Sequence, residues 1–559
     1  MGRSGNVPGF KVYSISTTIR NPKRNAEFLD VLKNFDNQKL TGDVKDRIYY
    51  ELVKSGIYRL TNIDNLIKEK YKSGIALTDQ EIFEAIKNNP QKTGDQGRVM
   101  TQIRALKEIG LLALEGSRNK KIMKLTPLAF DLIDGKNVET IYTKAMIGLH
   151  ANNPQRSAMF NQSRPFLNTL FVIKGINDYY NNQKGILEHE FGAFVLSMKD
   201  CDYKKAIDNI IKYRKKFGHK ENQQFIENYI YNVQHEIETD FNNIVSEYTD
   251  DVYRKFDMTG LLSTSGYGEN KYIRFNEYNI EKVNSILEEY KDYSFIKFES
   301  IDDYIDYLVN VNIPWETSDE VKKALITTQK EILGVEIDDS KSLDVQIEEL
   351  DNIHNKRIFD TTIECYDLET IKRELLLLGK RSDEKSKYDD IPEPVRLEWL
   401  IALLTAKTYG SKYVKPNLSL DDNGVPKSFA AGGLADIEFI NDDMHCLIEV
   451  TLMQDYRQQT NSETTSISDH LRQLETNKEK MSLLIAPRIH NRVAEFFRFT
   501  TLNDNLMILA LTIEYYIDLL EEESEIEKFK NVMEKLNSAM CDNFTDYCDK
   551  INSYRLEEA

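Results

Sequence analysis

Apolar residues recur at helical spacing in two stretches between residues 78 and 110. A capping box formed by Thr78 and Glu81 predicts a short first helix, and Pro90 predicts its end. A second helix is predicted from about Asp95, with one apolar face and a glycine that can cap its C-terminus. The residues of that face and the capping glycine are Val99, Ile103, Leu106 and Gly110.

A basic turn between two short apolar stretches follows the second helix. Residues 111–114 and Ile122–Leu125 predict two strands, and the turn between them carries Arg118, Lys120 and Lys121. Thr126 and Pro127 then predict the start of another helix. Two helices followed by a basic hairpin are the order of a winged helix-turn-helix, so we predict such a module here.

A looser version of the same order recurs further along the chain. Gly260, Leu261 and Leu262 precede a turn rich in Ser and Gly and then the strand pattern Tyr272–Phe275, which predicts a second winged-helix module. Residues 280–390 are acidic and helical in pattern, with helical segments over 345–353 and 368–378. They end in a polar stretch before Pro392 and Pro394. This pattern predicts a helical connector and a domain boundary.

Beyond residue 394, short apolar runs alternate with helical patterns. Alternation of this kind is typical of an α/β domain, and the unequal connections predict a mixed sheet. The predicted helices span 395–409, 467–478 and 491–497, and the predicted strands span 436–440, 446–451, 481–486 and 506–511.

The fold class that follows is multidomain α+β. Residues 1–285 are predicted to be a DNA-recognition half with two winged-helix-like modules. Residues 286–390 are predicted to be a helical linker, and residues 391–559 a C-terminal α/β domain with a mixed sheet. A length of 559 residues agrees with a prior of two to four domains.

Composition narrows the class of protein. Hydrophobic residues make up 41% and charged residues 29%, which is ordinary for a globular protein. No apolar run approaches the ~18 residues that cross a bilayer, and the N-terminus lacks the apolar core of a signal peptide. The five cysteines lack metal-like spacing. We therefore expect no membrane association and a location in a reducing cytoplasm.

Charge is distributed unevenly along the chain. The net charge of −18 argues at first against a nucleic-acid partner. Residues 1–150, however, contain 25 Lys and Arg against 17 Asp and Glu. Because screening limits each patch to about 10 Å, only the basic part needs to face phosphates. The alternative is that charge merely varies along the chain.

Two carboxylates at strand ends are candidates for metal-dependent phosphodiester hydrolysis, which needs hard oxygen ligands held close together. Asp436 opens one predicted strand, and Glu449 lies near the end of the next, so both can project toward one end of a sheet. Glu398 lies on the preceding helix between two apolar residues. The alternative is that these acids are solvated, since the chain has 91 Asp and Glu residues.

Four segments give the chain a resemblance to a known family. These are AAGGLADIE at 430–438, IEVT at 448–451, LIAP at 484–487 and SISTTIRNPKR at 14–24. Together they resemble the nuclease core and the N-terminal Arg-Asn-Pro signature of the AlwI family, type IIS restriction endonucleases with close nicking relatives. The resemblance implies a C-terminal PD-(D/E)xK-like nuclease domain that uses Mg²⁺.

The resemblance also implies a set of catalytic residues, with the metal assigned to Asp436, Glu449 and Val450. Ala435 stands where many such nucleases have proline, and Thr451 stands where they have a lysine that helps to activate water. His470 is the candidate for activating water, because the pKa of a histidine suits proton transfer near neutrality. The alternative is that His470 is a surface histidine without a catalytic role. The implied catalytic residues are Glu398, Asp436, Glu449, Glu463 and His470.

Recognition residues are predicted from the N-terminal half. Arg98, Thr101 and Arg104 point away from the apolar face of the second helix and are candidates for base contacts. Arg118, Lys120 and Lys121 of the hairpin are candidates for phosphate contacts. The alternative is a basic, exposed hairpin that is simply solvated.

The predicted function is a type IIS restriction endonuclease that binds a short asymmetric double-stranded DNA site and cuts nearby. Double-strand cleavage then needs a second copy or a partner nuclease subunit, while one copy alone nicks. A cognate methyltransferase is expected in the same system, and the resemblance implies a prokaryotic cytoplasm as the location. The alternatives are a non-catalytic winged-helix DNA-binding protein and a PD-(D/E)xK nuclease that recognises DNA structure.

Overall fold

A computed structural model describes most of the chain, and its described residues form two compact units. Unit 1 lies within Met1–Leu52 and Gln91–Asn352, and unit 2 within Val53–Pro90 and Ile353–Ala559. The described residues are 12–58, 60, 64–65, 67, 70, 77–90, 94–116, 121–156, 161–234, 243–266, 270–378, 384–389, 391–428, 434–453, 459, 464–523 and 525–552.

Helices make up most of the regular structure in both units. In chain order they are α1 (Asn25–Leu32), α2 (Gly42–Lys54), α3 (Asp79–Asn88), α4 (Asp95–Glu108), α5 (Pro127–Ile133), α6 (Val138–Gly148), α7 (Pro165–Tyr180), α8 (Glu188–Glu190), α9 (Tyr203–Phe217), α10 (Gln223–Gln234), α11 (Thr249–Asp257), α12 (Ile280–Glu289), α13 (Ile301–Val309), α14 (Pro314–Thr317), α15 (Asp319–Leu333), α16 (Leu343–Thr362), α17 (Leu368–Leu377), α18 (Glu393–Tyr409), α19 (Thr464–Gln473), α20 (Asn491–Asp504), α21 (Ile513–Glu522), α22 (Ile526–Asp542) and α23 (Phe544–Asn552).

Among the described residues, strands form small sheets in unit 1, and a small and a larger sheet in unit 2. In chain order they are β1 (Leu112–Glu115), β2 (Ile122–Leu125), β3 (Ile186–Leu187), β4 (Leu262–Ser265), β5 (Tyr272–Phe275), β6 (Val414–Pro416), β7 (Ser419–Leu420), β8 (Pro426–Ser428), β9 (Ile437–Ile440), β10 (Met444–Val450), β11 (Glu479–Ala486) and β12 (Met507–Thr512).

The N-terminal elements follow the predicted order. Thr78 and Glu81 form the capping box of α3, and α4 begins at Asp95 as predicted. Strands β1 and β2 pair antiparallel, with Leu112 opposite Leu125. Helix α3 belongs to unit 2 and α4 to unit 1, so the assignment of these elements to one winged-helix module stays a prediction.

The second predicted hairpin is part of a three-stranded sheet in the order β3-β5-β4. Strand β5 pairs antiparallel with β4, as the sequence pattern predicts, and also with β3. The two-residue strand β3 was not predicted, because two residues are too few for an alternating pattern to be recognised.

Unit 2 is built on a five-stranded sheet in the order β12-β11-β10-β9-β6. Strands β10, β11 and β12 run parallel, whereas β9 and β6 are antiparallel to their neighbours. The prediction of a mixed sheet is confirmed. Helix α18 packs against β6 and β10, and α19 packs against β11.

The two faces of β9 differ in character. Ile437 and Phe439 are fully buried, and the Phe439 ring lies 5.3 Å from the Tyr409 ring of α18 and 5.0 Å from the Phe529 ring of α22. Because side chains alternate along a strand, Asp436 and Glu438 lie on the opposite face. Packing of the apolar face therefore fixes which side of the sheet carries the acidic residues.

Two helices differ in length from their predictions. The helix predicted over 467–478 is α19, which ends at Gln473, because Glu479 already pairs opposite Met444 in the sheet. The helix predicted over 491–497 is α20, which continues to Asp504 and is followed by Asn505 with a φ of 54°. Its last two turns are largely polar and exposed, so they lack the apolar repeat on which the prediction relied.

None of the described helices is both long enough and apolar enough to span a bilayer.

Candidate functional site

Asp436 and Glu449 are brought side by side by strands β9 and β10. The antiparallel register pairs Ile437 with Ile448, so the next pair toward the end of β10 is Asp436 with Glu449. The backbone N–H of Val450 donates a hydrogen bond of 2.7 Å to Asp436 Oδ2. Two carboxylates predicted from their positions at strand ends thus lie beside each other on one face of the sheet.

His470 contacts Glu449 from α19. Its ring nitrogen Nδ1 lies 2.8 Å from Glu449 Oε1, and the two side chains are 18% and 10% exposed. A carboxylate only accepts hydrogen bonds, so Nδ1 carries the proton and Nε2 is the ring nitrogen left to exchange protons. The hydrogen bond to Glu449 raises the pKa of His470 above its usual value, although burial opposes this.

Two further residues, Glu398 and Glu463, were predicted to be catalytic. Glu398 lies on α18 and is 6% exposed, between the fully buried side chains of Leu397 and Trp399. Since α18 packs against β6 and β10, the structure places Glu398 in the layer next to these strands. Glu463 lies outside the described residues.

Thr451 occupies the position where a lysine is usual. The side chain is 8% exposed, and its hydroxyl oxygen accepts a hydrogen bond from the backbone N–H of Met453. The backbone N–H of Thr451 donates to Ile485 of β11. Thr451 therefore holds the chain at the end of β10 and supplies no cation there.

The donors around Asp436 fit a hard divalent cation in their chemistry. Among the described residues, no group of three or more His, Cys, Asp or Glu side chains lies close enough to hold a metal ion. Two adjacent carboxylates, from Asp436 and Glu449, therefore need a donor of another kind, and Val450 offers a backbone carbonyl next to them. Magnesium takes one or two carboxylates and completes its shell with other oxygens and water, so the residues present fit this ion.

A second cluster of polar side chains was not predicted from the sequence. Glu438 accepts hydrogen bonds from Lys415 Nζ at 2.8 Å, from Asn417 Nδ2 at 3.2 Å and from His445 Nε2 at 2.8 Å. Burial raises the pKa of Glu438, but the hydrogen bonds from His445 and Lys415 outweigh it and lower the pKa to about 2. The only sequence signal was the spacing of Glu438, two residues after Asp436 and thus on the same strand face.

The predicted base-contacting residues lie on α4 in unit 1. Arg98 and Thr101 are half-buried, and the Thr101 hydroxyl donates to the Arg98 carbonyl at 2.7 Å. Arg104 is 66% exposed on its side chain, and its Nε donates to Glu108 Oε1 at 2.9 Å. Glu108 also accepts from the backbone N–H of Ser16, so this carboxylate ties the N-terminal segment to α4.

The predicted phosphate-contacting residues lie around the β1–β2 hairpin. Lys121 is half-buried just before β2, and its carbonyl accepts a hydrogen bond from the backbone N–H of Leu40. Arg118 and Lys120 lie outside the described residues. The structure thus places one of the three hairpin cations.

A comparison with models of protein families identifies a family for this chain. The model of the family described as AlwI restriction endonuclease matches residues 107–519, which is most of the chain. The match begins within the last turn of α4 and includes the hairpin and the pair Asp436 and Glu449. A comparison with curated proteins gives no match.

Several solved structures show weak similarity. One is the small subunit of the heterodimeric restriction endonuclease R.BspD6I, with 21% identity over 34% of this chain and 98% of that one, and a TM-score of 0.28. The BpuJ1 endonuclease binding domain, solved with modified DNA, has 12% identity over 54% of this chain and 98% of that one, and a TM-score of 0.34. Restriction endonuclease FokI has 10% identity over 93% of this chain and 98% of that one, and a TM-score of 0.23.

Proposed function

The chain belongs to the AlwI restriction endonuclease family, and on that premise we propose that it is a type IIS enzyme. It binds a short asymmetric site in double-stranded DNA and, with Mg²⁺, hydrolyses phosphodiester bonds at a short distance from that site. The observation that carries the proposal is the pair of contacts at the end of β10, where the Val450 N–H binds the Asp436 carboxylate and His470 binds Glu449.

The three regions predicted from the sequence have different roles in this proposal. Residues 1–285 read the DNA through winged-helix modules, with Arg98, Thr101 and Arg104 facing base edges and Arg118, Lys120 and Lys121 facing phosphates. Residues 286–390 connect them to the PD-(D/E)xK-like nuclease domain, residues 391–559.

The catalytic roles follow from the side chains at the site. Asp436, Glu449 and the Val450 carbonyl would hold Mg²⁺, which polarises the scissile phosphate and stabilises its developing negative charge. His470 Nε2 accepts the proton of the attacking water, because Nδ1 is occupied by Glu449. Glu398 and Glu463 complete the site as additional acidic groups.

The number of catalytic sites determines the product. One domain with one site acts on one strand at a time, so a single copy nicks and a double-strand break needs a second copy or a partner nuclease subunit. A restriction enzyme that cuts its own genome is lethal, and a cognate methyltransferase is therefore expected beside it. The proposal therefore includes a second nuclease copy or subunit for double-strand cleavage, a cognate methyltransferase and a cytoplasmic location.

Incubation of supercoiled plasmid with the full-length protein and Mg²⁺ tests the proposed function. We expect nicked circles or discrete linear fragments, whose sequenced ends lie at a constant distance from one asymmetric motif. A parallel reaction with a chelator in place of Mg²⁺ is the control and should leave the plasmid supercoiled.

Other outcomes favour the alternatives. A retarded band without cleavage at any Mg²⁺ concentration indicates a non-catalytic DNA-binding protein. Cleavage whose ends share no motif and map to branched or single-stranded sites indicates a nuclease that recognises DNA structure.

A further inference from the structure

Asn417 binds the backbone carbonyls on both sides of the Asp436 side chain. Its backbone N–H donates a hydrogen bond of 3.0 Å to the carbonyl of Asp436. Its side-chain Nδ2 donates to the carbonyl of Ala435 at 2.8 Å. Asn417 follows directly after β6, the edge strand of the sheet, and so joins the entry of β9 to that edge.

Glu438 fixes the orientation of the Asn417 amide. Asn417 Nδ2 also donates to Glu438 Oε1, at 3.2 Å, and Glu438 is held in turn by Lys415 and His445. An amide whose two N–H groups go to a carbonyl and a carboxylate has one arrangement that satisfies both acceptors. Glu438, which is bound by Lys415 of β6 and His445 of β10, therefore fixes the position of the Asn417 amide.

Asp436 is constrained from two neighbouring strands as a result. Its backbone is held by Asn417 on the β6 side, and its carboxylate Oδ2 accepts from the Val450 N–H on the β10 side. Removal of the Asn417 side chain breaks its hydrogen bonds to the Ala435 carbonyl and to Glu438, and so loosens the entry of β9 at Asp436. A shift of the Asp436 backbone then moves its carboxylate relative to that of Glu449.

We propose that Asn417, oriented by Glu438, is a positioning residue that holds Asp436 beside Glu449 for binding of a divalent cation. The inference rests on the proposed function, because it takes Asp436 to be a metal ligand. Partners that orient metal ligands typically affect metal affinity by 10- to 100-fold. Asn417 touches neither the DNA nor the cation in this proposal.

Binding of Mn²⁺ to the full-length protein without DNA, followed by electron paramagnetic resonance, tests the proposal directly. We expect Asn417→Ala to raise the Mn²⁺ dissociation constant by about tenfold or more. In single-turnover cleavage, the Mg²⁺ concentration for half-maximal rate should rise, while the rate at saturating Mg²⁺ recovers toward that of the parent. Affinity for DNA in Ca²⁺ should stay within about twofold.

Two further variants separate positioning from general stability. Asn417→Asp keeps the shape and the backbone N–H but cannot donate from its side chain at neutral pH, so it should weaken Mn²⁺ binding as Asn417→Ala does. Tyr547→Phe removes the hydroxyl that contacts both the N–H and the carbonyl of Ala510 in the same unit. It should lower the melting temperature without a change in Mn²⁺ affinity.

The outcomes distinguish this inference from the proposed function. Wild-type Mn²⁺ affinity in both Asn417 variants overturns the positioning role while leaving the proposed function intact, provided that Asp436→Asn loses Mn²⁺ binding. Retention of Mn²⁺ binding by Asp436→Asn overturns the inference together with the proposed metal site.

Discussion

His470 and Glu449 lie 21 positions apart in the chain, yet the imidazole Nδ1 and the carboxylate Oε1 are 2.8 Å apart. The contact crosses from α19 to the end of β10. It orients the imidazole and leaves Nε2 for proton transfer, as a carboxylate does in many hydrolytic sites.

Replacement of either strand-end carboxylate should stop cleavage. We expect Asp436→Ala and Glu449→Ala to abolish cleavage in Mg²⁺ while DNA affinity stays within a few-fold, because phosphate contacts elsewhere supply most of the binding. Plasmid cleavage and gel retardation of the same preparations measure the two effects. Glu475→Gln, at an exposed glutamate of the same unit, is the control and should cleave normally. Near-normal cleavage by either alanine variant would show that the site is misplaced.

Loss of the histidine should slow the chemical step. His470→Ala should lower the single-turnover rate by roughly 10²-fold or more, the scale of general acid–base assistance. Since Glu449 raises the pKa of His470, the neutral base forms at higher pH than for an ordinary histidine. The parental rate should therefore rise with pH from the histidine range upward, and the variant should lose this rise. His219→Ala, at an exposed position of unit 1, is the control and should cleave at the parental rate. An unchanged rate and pH profile in His470→Ala would show that His470 does not take part in the reaction.

Recognition residues of two kinds should respond differently to DNA sequence and salt. Arg98→Ala on α4 should weaken binding to the cognate site by about 1–3 kcal/mol and leave binding to unrelated DNA nearly unchanged. Lys121→Ala should weaken both equally and lower the slope of log affinity against log salt by about one. Fluorescence anisotropy with cognate and scrambled duplexes over a salt series measures both. Lys291→Ala, at an exposed lysine paired with Glu288, is the control and should bind both duplexes as the parent does. Equal effects of Arg98→Ala on both duplexes would contradict a base contact.

Acid should destabilise unit 1 through His150. This side chain is fully buried against the rings of Phe295 and Phe298, and burial, with Arg164 nearby, lowers its pKa to about 3. The unfolded chain binds a proton near pH 6.5 and the folded one does not, so stability is full above that pH and falls as pH decreases toward 3. At pH 5 the loss from this group is about 2 kcal/mol.

Urea unfolding at pH 7 and pH 5 measures that loss. His150→Gln keeps a polar group of similar size without a titration near neutrality, so its loss between the two pH values should be smaller by about 2 kcal/mol. His219→Ala, at an exposed position, should lose as much stability as the parent. An identical loss in His150→Gln would contradict the assignment to His150.

Local patterns in the sequence were sufficient for several elements of the fold. The capping box at Thr78 and the apolar repeat after Asp95 predicted α3 and α4, because caps and side-chain periodicity act within a few residues. Alternation around Asp436 and the apolar run before Glu449 predicted β9 and β10 in the same way. The sequence also indicated the two strand-end carboxylates, since a short turn joins their strands.

Tertiary structure decided which of these pieces became neighbours. The order β10-β9-β6 places Asn417 beside Ala435 and Asp436, although β6 has three residues and gives no recognisable alternation. The contact between His470 and Glu449 depends on α19 packing beside β11. Such contacts arise when apolar faces such as that of Phe439 are buried together. The burial fixes sheet order and register over long separations, and no local periodicity carries that information.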